Sequence, residues 1–226
     1  YRFAADVIRR QARESDAVLD ALLAPHRAWI EGRAALETLE RNEIVRARAV
    51  FEEVLTHAPD QASARVGLAN ALVMQFEMTR TDVIPDREAL SLALQHARDA
   101  CRLDAGDGEA WATLGFVLDR SRQHADALAA CRRAVSLEPD NWRHHVRLAS
   151  VSWGEERLRA SRRTLALLPG CPLAHWFAAT VHVARQASPE AERTLREGIV
   201  GQGDRDTREG GARFSGVGLH WLLGLV

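Results

Sequence analysis

Between residues 108 and 141, large apolar, small and polar positions follow one another in a fixed order. Trp111, Leu114 and Leu118 sit three and four residues apart, the spacing of one helix face. Gly115 adjoins them, and Ala127, Cys131 and Ala134 repeat the spacing about a helix later. Pro139 cannot continue a helix and closes the second stretch. The pattern predicts two antiparallel helices. Gly115 and Ala134 let them approach, and Trp111, Leu114, Leu118 and Cys131 fill the space between.

The same order recurs on both sides. In residues 62–107, Leu68-Ala69 takes the Leu-Gly place, Leu72 follows, and Ala93, Ala97 and Ala100 supply the second helix. This unit carries extra residues around Met78 to Glu88, so a longer loop and a longer second helix are expected. Asp86 suits the N-cap of that helix. Residues 28–61 form a first unit, with Trp29, Ala34, Ala35 and Leu39, then Ala47, Val50, Phe51, Val54 and Leu55, ending at Pro59. Residues 1–27 read as an N-terminal packing helix. Residues 142–171 form a shortened unit with its turn at Trp153-Gly154, about one helical turn less than a full repeat. Residues 172–205 return to full length, with Pro189 in the first turn of the second helix, where its missing N–H costs little. Residues 206–216 form a Gly-rich loop, and residues 217–226 open a further unit. The chain stops within that apolar first helix, so a fragment of a longer protein is expected.

These units resemble the tetratricopeptide repeat, a helix–turn–helix of about 34 residues with the pattern W-x2-L-G-x2-Y…A-x3-F…P. The resemblance spans roughly residues 28–226 and is densest at 108–141. It implies an all-α, right-handed superhelical solenoid of about five antiparallel helix pairs. It also implies a concave groove, lined by the first helices and used to hold peptides or proteins. The groove positions of the family fall here on Asn70 and Val73, Phe116 and Asp119, Arg143, Trp176 and Thr180, with Trp221 extending the list. Trp176 and Trp221 each fall one position after the usual core Trp. Trp29 and Trp153 fall in irregular units and are left out of the candidate set. The lining reads as largely apolar, with few charges.

Some family members grip a terminal carboxylate with Lys and Asn residues and an Arg across three units. Those positions are Val66, Asn70, Thr113, Arg143 and Arg147 here. Asn70, Arg143 and Arg147 are compatible, but Val66 and Thr113 are not the family's residues. A solvated Arg143–Arg147 pair on one helix face is the favoured reading.

Charge and chemistry narrow the picture further. The net charge is −1, which gives no general attraction to nucleic acid or an anionic membrane. All 30 basic residues are Arg, as in a GC-rich, bacterial genome. Cys101, Cys131 and Cys171 lack disulfide or zinc spacing and read as small hydrophobes in a reducing, cytoplasmic compartment. His145, His175 and His220 recur at the core Trp position, stacked about 10 Å apart. Ligands to one metal sit near ~2.1 Å, so the histidines read as core substitutes. The Arg157, Arg159, Arg162 and Arg163 cluster reads as a solvated convex face, with Glu155 and Glu156 at spacings that permit helix ion pairs. No catalytic motif is present.

The expectation is a non-enzymatic interaction scaffold without cofactor or metal. It would bind a protein or peptide through its groove, and neither nucleic acid nor membrane. The alternative is a regulatory or substrate-presenting segment of a larger enzyme or transcription regulator. The apolar C-terminal end would also permit a homodimer.

Overall fold

Prolines punctuate the array at one register. In the computed structural model, helix α1 (Arg41–His57), helix α5 (His124–Leu137) and helix α7 (Gly154–Leu167) each stop two residues before a proline, at Pro59, Pro139 and Pro169. A short turn follows, and two of the first helices start with a side-chain cap. Asp107 accepts from Glu109 N–H (2.8 Å) to start helix α4 (Gly108–Arg120). Asn141 accepts from Arg143 N–H (3.1 Å) to start helix α6 (Trp142–Val151). These caps satisfy amides that the first turn leaves without a partner. The structure describes residues 40–203 and, outside that span, residues 27, 30–32, 34–36, 219 and 222–224. The expected helix over residues 1–27 lies almost wholly outside the described residues.

The remaining elements are helix α2 (Ala62–Thr79), helix α3 (Arg87–Leu103), helix α8 (Pro172–Ala184) and helix α9 (Ser188–Gly203). No strand occurs among the described residues. The second helices α3, α5 and α7 each pack between their own first helix and the first helix of the next unit. The first helices α2, α4, α6 and α8 also pack against one another in sequence, whereas the second helices meet only through long side chains such as Arg132 and Glu156. The first helices therefore form the continuous inner wall, as a superhelical solenoid requires.

Small residues make the approach between helices close. Ala93, Ala97, Ala100, Ala127, Cys131 and Ala134 are completely buried. At Gly115 an added Cβ would lie 2.4 Å from Cys131 Sγ and 3.0 Å from the Ala127 carbonyl oxygen. The Phe51 ring fills the space beside two glycines, one on each neighbouring first helix. An added Cβ would fall 2.4 Å from it at Gly32 and 2.3 Å from it at Gly67.

The irregular units differ from the regular one in where the change is placed. The insertion in residues 62–107 is shared. α2 has 18 residues against 13 in α4, α3 has 17 against 14 in α5, and loop 80–86 takes the rest. So the first helix lengthens as well as the second. Asp86 caps α3, accepting from Ala89 N–H (3.0 Å), and ties the loop to α2 by accepting from Gln75 Nε2 (2.7 Å). The turn missing from residues 142–171 is taken from α6, which has only 10 residues. At the far end, Leu219 and Leu222 are buried with Ala179 and Leu195. The described part of the C-terminal end therefore packs on its own chain.

Candidate functional site

The inner wall is formed by the first helices α2, α4, α6 and α8. Among the predicted positions, Val73 is fully buried with Phe116 and Val117, so it offers no surface to a groove. The insertion explains this: the lengthened α2 packs Val73 beneath α4 instead of leaving it at an open rim. Phe116 is also buried, and two guanidinium groups lie over its ring. Arg147 is 3.9 Å from the ring centroid and Arg120 is 4.6 Å from it. Asp119 is held by Arg120 and by His124 Nδ1 (2.8 Å). Trp176 is half-buried and meets Phe177 edge-on at 5.3 Å. Trp221 lies outside the described residues.

Asn70 joins three helices. Its amide donates to the Val66 carbonyl (3.1 Å) and to Thr113 Oγ1 (2.9 Å), and its Oδ1 accepts from Arg147 Nη2 (3.4 Å). Val66 and Thr113 are both buried. The five positions considered for a carboxylate grip therefore divide: Val66 and Thr113 are interior, Asn70 is an internal linker, and Arg143 lies over its neighbour Trp142 at 4.7 Å. Arg147 is not the solvated member of a pair. It is half-buried, and burial pulls its guanidinium pKa down. Among the described residues no carboxylate lies within ion-pair distance of it, although Glu109 and Glu77 act on it from further away. Arginines stacked on aromatic rings thus recur along these first helices.

The shortened α6 produces a feature that the spacing did not reveal. Three helix-end carbonyls become available where α6 stops early. Arg157, from α7, fills the place. Its Nε donates to the carbonyls of Ala149 (2.9 Å) and Ser152 (2.8 Å), its Nη2 to Ser150 (3.4 Å), and its Nη1 reaches Thr180 Oγ1 on α8 (3.3 Å). The same guanidinium lies 4.3 Å from the Trp153 ring centroid and 5.4 Å from that of Phe177. Thr180 in turn donates to the Phe177 carbonyl (2.7 Å). Trp153 stands at this step in the wall with 59% of its surface exposed. The sequence signal for both residues was the missing turn itself, since a helix cut short needs a new donor at its C-terminus.

Arg157 is thus separated from the cluster in which the sequence grouped it. Arg159, Arg162 and Arg163 stay exposed. Glu155 and Glu156 do not pair within their helix: Glu156 accepts from Arg132 (2.8 Å) and Glu155 from Arg185 (3.3 Å), and Arg163 pairs with Asp140. These ion pairs tie adjacent units together on the outside of the array.

The histidines at the core Trp position behave as Trp substitutes in one respect that can be measured. Trp111 Nε1 donates to the carbonyl of Ala105, six residues back, at 3.0 Å. His145 Nε2 faces the carbonyl of Pro139, also six residues back, at 2.9 Å. A carbonyl can only accept, so Nε2 carries the proton. Trp111 itself is half-buried and packs against the cluster of Leu114 and Leu118. His145 and His175 are buried, and no group of metal-ligating side chains forms among the described residues.

Comparison with known proteins settles the class. The tetratricopeptide repeat family profile matches residues 108–141, the unit with the most regular spacing. Those residues are a tetratricopeptide repeat, and the array around them has the fold of tetratricopeptide repeat proteins. Among solved structures, the chain is similar to a thermophilic tetratricopeptide repeat protein of Thermus thermophilus, with 15% identity and a TM-score of 0.65. That likeness covers 88% of this chain and 100% of the other. It is also similar to YrrB, described as a tetratricopeptide repeat protein with an unusual peptide-binding site. There the identity is 24% and the TM-score 0.50, over 72% of this chain and 80% of that one. Both likenesses bear on the fold. Among curated sequences it is 26% identical over 185 residues to Protein CTR9 homolog of Arabidopsis thaliana. That alignment takes in 76% of this chain but only 17% of the relative's length. No helix of the described residues is long and apolar enough to cross a membrane.

Proposed function

We propose that this array is a non-catalytic scaffold that holds a peptide or partner protein in its concave groove. The tetratricopeptide fold is a protein-interaction architecture, and its members are typically non-catalytic. The observation that carries the groove reading is the inner wall itself. Helices α2, α4, α6 and α8 run side by side; Arg143 and Arg147 come from α6, Trp176 from α8, and the exposed Trp153 from the turn that ends α6. Tryptophan and arginine are the residue types that most often anchor a protein interface. Asn70 and Phe116 hold Arg147, Thr180 holds the Arg157 that lies over Trp153, Asp119 is tied to Arg120 and His124 beside them, and Trp221 would extend the surface. The compartment is proposed to be the cytoplasm, consistent with three buried free cysteines.

Hydrogen exchange on the chain, free and bound to a peptide selected from a displayed library, tests this reading. Protection should concentrate on α6 and α8, and Trp176→Ala and Arg143→Ala should weaken binding. Protection confined to α3, α5, α7 and α9, with both variants binding as before, would remove the groove from consideration.

A second reading keeps the same surface but places it within a larger regulatory or enzymatic protein. It is supported by the curated relative, of which the chain matches a small part. The reading frame on either side of Tyr1 and Val226 tests it.

A further inference from the structure

The C-terminal half of the inner wall has a charge pattern that the rest of the molecule lacks. Helices α6 and α8 contain no Asp or Glu, while α6 carries Arg143 and Arg147. Arg157 enters the same face from α7. On the outside, Arg132, Arg163 and Arg185 each meet a carboxylate. On the inside, neither Arg147 nor Arg157 has a carboxylate at ion-pair distance among the described residues. Both lie over aromatic rings instead, Phe116 in one case and Trp153 in the other. A buried or half-buried guanidinium is normally compensated by an opposite charge. For Arg157 the carbonyls at the end of α6 supply much of that compensation. For Arg147 the only hydrogen-bond acceptor among the described residues is Asn70 Oδ1, at 3.4 Å.

The step left by the shortened α6 adds an apolar element. Trp153 is 59% exposed, and Val183, on the neighbouring α8, is 40% exposed. The Trp153 ring is fixed from one side by the Arg157 guanidinium at 4.3 Å, so it presents a surface that needs little further ordering on contact. An exposed, pre-ordered indole at the end of the helix that carries Arg147, a positive charge with no carboxylate at ion-pair distance among the described residues, matches a partner with the complementary pair: an apolar side chain with a carboxylate near it in sequence.

We propose that the groove recognises an acidic peptide segment carrying one large apolar side chain, which sits on Trp153 at the α6 step while a neighbouring carboxylate meets Arg147. This rests on the groove reading above and names the partner's chemistry. Arg157 is a positioning residue here, since its donors are already used within the chain.

The test uses the full chain and a displayed library of random dodecapeptides. Selected peptides are then synthesised with Glu→Gln and apolar→Ala replacements, and measured by fluorescence anisotropy against wild type, Trp153→Ala and Arg147→Gln. Trp153 is exposed, so Trp153→Ala should melt as wild type does. The expected peptides are acidic, lose at least tenfold in affinity on Trp153→Ala, and lose that sensitivity once their own apolar residue is replaced. The Glu→Gln peptides should no longer distinguish wild type from Arg147→Gln. Selected peptides that are neutral or basic, or that bind Trp153→Ala unchanged while responding to Trp176→Ala, overturn this inference and leave the groove reading standing. Peptides indifferent to every inner-wall substitution overturn both.

Discussion

Arg147 holds its guanidinium 3.9 Å from the centre of the Phe116 ring, and the two residues come from neighbouring first helices. The contact closes the seam between α4 and α6 and takes a charge into a half-buried place without a carboxylate beside it. Such a charge adds little to stability, because desolvation offsets what the ring and Asn70 return. Arg147→Met should therefore change the unfolding free energy by less than about 1 kcal/mol. Phe116→Ala removes a buried ring and should cost about 3–5 kcal/mol. Urea denaturation of both variants checks the contrast. A loss of several kcal/mol in Arg147→Met would show that the arginine is kept for folding rather than for a ligand.

Arg157 presents the opposite case. One side chain closes the end of α6 and reaches Thr180 on α8, so its removal leaves helix-end carbonyls without their donor. Hydrogen bonds that involve a charged group contribute about 1.5–3 kcal/mol net, and water reaches part of this site once the side chain is gone. Arg157→Ala should cost about 2–4 kcal/mol in total. Arg157→Lys should recover little, because a single ammonium cannot span the separate acceptors of a planar fork. Hydrogen exchange should show the loss first at the C-terminal turn of α6. Unchanged exchange there in Arg157→Ala would contradict the capping role.

Gly67 marks the tightest approach between the first two units. Its absent Cβ leaves room for the Phe51 ring, which would otherwise sit 2.3 Å from it and is itself almost fully buried. A ring held on both sides, by Gly67 and Gly32, has little freedom to move away. Gly67→Ala should destabilise by about 1–3 kcal/mol despite alanine's better helix propensity. Pairing it with Phe51→Leu should return part of the loss, which a double-mutant cycle reads directly. Additive effects would mean that the two residues do not share the space.

Much of the fold was legible because it depends on local spacing. Pro59, Pro139 and Pro169 end helices wherever they stand, and the Ala93, Ala97 and Ala100 ridge is an interior face whatever lies opposite. The groove was less legible because a position number says where a residue sits, not how deep. Val73 has the same index as exposed residues elsewhere, yet the lengthened α2 carries it under α4. Trp153 and Arg157 gain their roles only because α6 ends early, and the donor comes from the next helix. Interactions between units, such as Arg132 with Glu156, follow from the stacking angle and leave no trace at helical spacing.

Two histidines standing where the family places tryptophan should make the array acid-sensitive. Burial lowers the pKa of both His145 and His175 below the ordinary value of 6.5. In the unfolded chain these rings take up a proton near 6.5, while in the native chain they stay neutral to lower pH. Between those two values the unfolded state binds more protons, so stability falls as the pH drops. The contribution is complete above about pH 7.5, begins to fade near 6.5, and levels off once the native rings are protonated. His96 and His182 are shifted in the same direction by burial and add to the trend. The lowered carboxyls of Glu138 and Glu156 act below their ordinary 4.5, while the Asp107 carboxyl, raised by burial, works in the opposite sense, so the comparison with a His145 variant rather than the wild-type slope alone reports on the histidine. His145→Gln keeps a donor for the Pro139 carbonyl but cannot titrate. Urea midpoints should fall from pH 7.5 to 5 in wild type and fall less steeply in His145→Gln. An equal slope in the two proteins would mean that His145 is solvated in solution, and that its place in the core is not that of a tryptophan.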